Sequence, residues 1–163
     1  MKRAVLVMLG ILVFGFAAIQ LVPVQRTNPP VLSEPPWDSP QTRELAQRAC
    51  FDCHSNETVW PAYAYVAPVS WLVAHDTNEG RQYLNFSEWN NGGANSAGEV
   101  IEAVAEGQMP MANYVAMHPQ ARLTAAEKQQ LIDGFKASLV GGVGGERGEG
   151  GEGGEREGGG DGD

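Results

Sequence analysis

Apolar and polar positions divide the chain into unlike stretches. From Ala4 to Val24 the only polar side chain in 21 residues is Gln20. The run is apolar on every side rather than along one stripe, and about 20 such helical residues cross the hydrocarbon of a bilayer. From Gln25 to Pro40 apolar residues are sparse, and Pro29, Pro30, Pro35, Pro36 and Pro40 break any periodicity. This part predicts an extended, semi-rigid spacer that holds the following domain off the membrane. Helical intervals return between residues 41 and 140. Ser39 before Pro40 makes an N-cap and first-turn pair for a helix running through Glu44, Leu45 and Ala49 toward Cys53. Ser96 with Glu99 and Thr124 with Glu127 have the spacing of capping boxes. Val100, Ile101, Val104 and Ala105 follow the first box and stop at Gly107, while Leu131, Ile132, Phe135 and Leu139 follow the second and stop at Gly141. A further helix is predicted between Pro68 and Glu79, with Trp71 and Leu72 facing inward. No stretch sustains the alternation of a strand, so the expected fold is mostly α with long loops.

Charge refines this picture. Lys2 and Arg3 precede the apolar run, which assigns that end to the cytoplasm and everything from Gln25 onward to the periplasmic side of a single-pass cytoplasmic-membrane protein. A cleaved signal peptide, with Gly15-Phe16-Ala17 as its small-x-small site, is the competing reading. At the other end, residues 141–163 hold thirteen Gly, seven acids and two Arg, a composition expected to stay disordered because it offers almost nothing to bury. Four segments result: anchor 1–24, spacer 25–40, domain 41–140 and tail 141–163. Residues 25–140 carry seven basic against thirteen acidic side chains, net −6. Binding to nucleic acid is thereby disfavoured, since phosphate neutralisation needs a basic face.

The chemistry lies in the two cysteines, which stand in Cys50-Phe51-Asp52-Cys53-His54. This is the CxxCH pattern of covalent haem attachment. On a helix the positions i, i+3 and i+4 share a face. Cys50 and Cys53 are therefore expected to form thioethers with one haem c, and His54 to be the proximal iron ligand. Three alternatives use the same residues: a disulfide across a very short loop, which would stabilise little, a thioredoxin-like dithiol without its βαβ context, and a zinc site lacking a second close ligand pair. For the distal iron position the chain offers Met109, Met111, Met117, His75 and His118. Met109 is preferred, because Pro110 disfavours helical backbone before it and so leaves its thioether on an extended segment; Met111 is the main rival. Among the aromatic residues of the middle of the chain, Trp60 and Trp71 are candidate haem contacts, and Arg81 is a candidate counter-ion for a propionate.

The runs CFDCHSNETVWPAYAYVAPVSWLVAHDTNEGRQYLNFSEW and GQMPMANYVAMHPQARLTAAEKQQL carry a resemblance to the bacterial haem-binding domain family, small membrane-anchored proteins with a single c-type haem. It spans roughly residues 26 to 138 and rests on Cys50, Cys53, His54, Trp60, Pro61, Pro68, Trp71, Asn85, Phe86, Trp89, Met109, Pro110, Tyr114, His118 and Pro119. Motif and resemblance together imply a small cytochrome c-like helical domain around one covalent haem, tethered to the membrane by an N-terminal helix. The implied function is single-electron transfer with unidentified redox proteins, without catalysis and without a small-molecule substrate. A haem-based sensor with a displaceable sixth ligand is the alternative, and a small peroxidase is a third reading.

Overall fold

The computed structural model describes residues 2–89 and 97–140. Ser96, the expected cap of one helix, and the Gly/Glu-rich tail lie outside these. The apolar run forms α1 (Lys2–Ile19), none of whose residues is buried against the rest of the protein. The domain contains α2 (Pro40–Ala49), the single turn α3 (Phe51–His54), α4 (Val69–Tyr83), α5 (Ala97–Ala105), α6 (Ala112–Met117) and α7 (Ala125–Phe135). Short 3-10 turns lie at Ala62–Tyr65 and Pro119–Ala121, and a π turn at Lys136–Val140 carries Leu139 into the core. No strand occurs among the described residues, only an isolated bridge between Ser33 and Glu88.

The local signals for helix ends act as the sequence predicts. Ser39 accepts a hydrogen bond from the Thr42 amide. Thr124 and Glu127 close a full capping box. α5 ends in a Schellman turn, in which Gly107 adopts a positive φ of 75° and the amides of Gly107 and Gln108 donate to Val104 and Ala103. The helix predicted to run toward Cys53 is instead broken at Cys50, whose backbone (φ −128°, ψ −33°) is non-helical and separates α2 from α3.

The core is built on aromatic rings. Phe86, fully buried, lies 5.5 Å from the ring centroids of both Phe51 and Trp37, 5.9 Å from Phe135 and 6.2 Å from Trp89. Each buried Phe contributes about 1.5–3 kcal/mol, and the cluster joins the CxxCH turn to α7.

Two expectations are corrected by packing. The Pro-rich segment is not a free spacer but a strap on the domain. Trp37 enters the core, and Pro35 is buried. Leu32 and Ser33 donate to the Ser87 carbonyl, Trp89 donates to Ser33, and Glu34 takes a bidentate pair of 2.7 Å contacts from Arg43. Proline explains the extended backbone, but the carbonyls and amides of that backbone find partners on the 84–89 loop. The second correction concerns α4, which turns Ser70, Ala74, Thr77 and Gly80 inward while Trp71 and Leu72 face out. Small side chains win the inner face because α4 lies very close to α3. A Cβ on Gly80 would stand 2.5 Å from the Cys53 carbonyl oxygen.

Candidate functional site

The α2–α3 break presents Cys50, Cys53 and His54 along one side of a crevice. Three cavities follow it. One of about 140 Å³ is lined by Cys50, His54, Leu84 and Met109 among others. A small one of about 30 Å³ is enclosed by Cys50, Cys53, His54, Met109, Met111 and Tyr114. The largest, about 360 Å³, extends past Cys53 toward Val69, Leu72, Tyr63, Met117 and His118. The small cavity adjoins both others, sharing Cys50, His54 and Met109 with the first and Cys53, Met111 and Tyr114 with the largest, so that the CxxCH turn and the Met109–Tyr114 segment both border the row.

His54 is held by the backbone of α4. Its Nδ1 lies 2.9 Å from the Gly80 carbonyl and 3.2 Å from that of Leu84. Facing two acceptors, Nδ1 carries the proton, which leaves the Nε2 lone pair available to a metal, the usual way in which an outer partner fixes the tautomer of a liganding histidine. Burial lowers the His54 pKa, so the ring stays neutral. No disulfide joins Cys50 to Cys53, and burial pushes the Cys50 thiol up to about 12 and, with help from the Asp52 and Asp76 charges, the Cys53 thiol up to about 11. No cluster of three or more His, Cys, Asp or Glu suited to a bare metal ion occurs among the described residues.

The opposite wall is set by the end of α5. The Met109 amide donates to Ala103, continuing the Schellman turn, and the Met109–Pro110 peptide is cis. Met109 lines both cavities that His54 lines, whereas Met111 shares only the smallest with it. Met117 lies on the rim of the largest cavity and is mostly exposed.

The remaining sequence candidates lie elsewhere. Both nitrogens of His118 are taken: the Tyr63 hydroxyl donates to Nε2 at 2.9 Å, and Nδ1 donates to the Tyr114 carbonyl at 3.0 Å. His75 is on the surface beside Glu79, 3.4 Å away. Arg81, expected beside a propionate, spends its guanidinium on the carbonyls of Ser55 and Thr27 and on Asn28 and Thr58, and so clamps the strap to the CxxCH turn. Trp60 donates to Asn28 on the surface, and Trp71 projects from the outer side of α4. Neither tryptophan, nor Arg81, lines the crevice.

Sequence reasoning missed three contributors. The Gly80 and Leu84 carbonyls carry no compositional signal, since every residue has one. Asp52 ties the walls together: it accepts from the Tyr114 hydroxyl at 2.6 Å and from the Val59 amide at 2.9 Å. Burial and this bond to a carboxylate raise the Tyr114 pKa well above the ordinary phenol range, so its proton stays in place. Asn56 and Asn85 form a buried pair that fixes the loop after His54 to the loop after α4.

A small helical domain whose largely apolar crevice is bordered by two thiols, an Nε2-presenting histidine and a thioether defines a protein that holds a flat, iron-bearing macrocycle. The model of the haem-binding domain family matches residues 14–137, and the chain belongs to that family. The match includes the end of α1 and the whole strap, in agreement with the packing of residues 26–37 on the domain. Neither the curated proteins nor the solved structures offer a match.

Proposed function

We propose that this haem-binding domain is a membrane-tethered monohaem c-type cytochrome that passes single electrons on the extracytoplasmic side of the membrane. The observation that carries this reading is the sharing of lining: Cys50, His54 and Met109 border the same two adjoining cavities. Haem bound there supplies a reversible one-electron couple between ferrous and ferric iron. Cys50 and Cys53 hold the macrocycle by thioethers. His54, oriented by Gly80 and Leu84, gives Nε2 to the iron. Met109 gives sulfur from the other wall, which raises the reduction potential relative to two histidines. Leu84, Phe86, Val100, Val104 and Phe135 give one side of the crevice an apolar lining, and an apolar surround favours the less charged, ferrous state. The domain turns over no substrate in this reading. Lys2 and Arg3 at the start of an unburied apolar helix support a segment that directs the domain to the far side of the membrane, and its length is the reason for reading it as an uncleaved anchor.

The test is an absorption spectrum of the full chain, oxidised and reduced, beside its Met109→Ala variant. The expected result is a mass increase of one haem and a weak far-red sulfur-to-iron charge-transfer band that vanishes in the variant. A band that survives Met109→Ala but disappears in Met111→Ala would reassign the ligand. Rapid carbon monoxide binding by the reduced native protein would instead favour a sensor with a displaceable sixth ligand.

A further inference from the structure

The corrected orientation of α4 leaves Tyr65, Val66 and Trp71 on a surface outside the crevice, beside Val69 and Leu72 at its rim. Residues 58–75 contain no Asp, Glu, Lys or Arg, in a chain of net charge −9. Within this stretch Tyr65, Val66, Val69, Trp71 and Leu72 are exposed, Leu72 by 59% and Tyr65 by 58%. Large apolar side chains on the outer side of a helix, with small ones on its inner side, invert the usual arrangement.

The position of this surface identifies what covers it. Gln20, the first residue after α1, donates to the Ala67 carbonyl at 3.2 Å and accepts from the Ala67 amide at 2.9 Å. Arg26 donates to Ala64 and lies 4.6 Å from the centre of the Tyr65 ring. Leu21 and Val22, also exposed, border a cavity together with Tyr65 and Ser70. The exit of the apolar helix and the start of α4 are thus held side by side through Gln20 and Arg26, with Leu21 and Val22 exposed on one part and Tyr65 on the other. Tyr and Trp beside a membrane-spanning helix, with a single Arg at their edge, match the chemistry of the headgroup layer.

We propose that the Tyr65–Leu72 face docks on the lipid bilayer beside the exit of α1, fixing the domain on the membrane surface rather than leaving it on a free tether. The proposal rests on α1 being an uncleaved membrane span. Val69 and Leu72 also line the largest cavity, so docking sets the rim of the crevice at the lipid boundary.

The test uses the haem-loaded full chain in phosphatidylcholine vesicles containing a phospholipid with a photoreactive acyl chain, followed by mass-spectrometric mapping of adducts. Adducts are expected in α1 and in residues 58–75, but not in residues 119–140. Val66→Asp, at a position outside the crevice, should lower the 58–75 adducts by about threefold or more without changing those in α1. The haem spectrum of that variant verifies that it has folded. Adducts in α1 alone would overturn the docking while leaving the anchor intact, and would assign the face to a protein partner or a second copy. Adducts in neither would show that α1 does not span and would remove the proposal with it. Labelling spread over all faces of the domain would also overturn it.

Discussion

The two walls of the crevice are built in opposite ways. The CxxCH wall is clamped by tertiary contacts: α3 lies against Gly80 so closely that a Cβ has no place, and His54 is bonded to two carbonyls of α4. The methionine wall is a continuation of a helix end, set by Gly107 and its Schellman turn, and α6 beyond it has no buried residue. One wall is fixed by packing and the other by the course of the chain. A rigid proximal side facing a less constrained distal side gives a site whose attachment and whose sixth ligand can be perturbed separately.

Mutations should expose this difference in order of size. Replacing both Cys50 and Cys53 by Ala should abolish covalent attachment, so that haem is lost from the chain in acidic acetone while the native protein keeps it; retention in the variant would refute the thioether assignment. Gly80→Ala should cost about 2–3 kcal/mol in denaturant unfolding, because the added methyl meets the rigid backbone of Cys53. Gly107→Ala, where only the flexible end of Lys128 lies nearby at 3.8 Å, should cost about 1 kcal/mol, from the positive φ alone. Equal costs would mean that the two walls are equally constrained. Tyr114→Phe removes the single hydrogen bond from the methionine wall to Asp52 and should cost about 1–2 kcal/mol. Its unfolding midpoint would show whether that bond couples the two walls.

The smallest effect is electrostatic and lies outside the crevice. Glu127 is held down to about 2 by the Thr124 amide and by Arg48, which donates to it at 2.6 Å. A carboxyl whose folded pKa is below its unfolded one stabilises the protein fully above the ordinary carboxylate range, and this contribution is lost as pH falls toward 2. The melting-temperature difference between the native protein and Glu127→Gln should therefore be constant above about pH 5 and should shrink below it. A difference that does not vary with pH would mean that only the cap geometry matters.

What could be read without a structure followed from short-range physics. The capping box at Thr124, the N-cap at Ser39, the stop at Gly107 and the apolar run of α1 each depend on residues a few positions apart, and so does the grouping of Cys50, Cys53 and His54. That Met109 lies beyond the end of α5 was legible for the same reason, through the stop at Gly107. The roles of Arg81, Trp60 and Trp71 were not. A guanidinium or an indole can serve many partners, and its choice depends on what the fold brings alongside: for Arg81 and Trp60, the strap. The inward side of α4 was hidden because close approach to α3 rewards small residues over apolar ones. Sequence alone determined the apolar helix, the caps at Ser39 and Thr124 and the stop at Gly107, and it picked out the residues from which a haem site could be built. Tertiary structure decided which carbonyls orient His54, which wall carries Met109, and that a proline-rich strap closes over the domain, because those contacts join backbone atoms that all residues share across distances that no local pattern encodes.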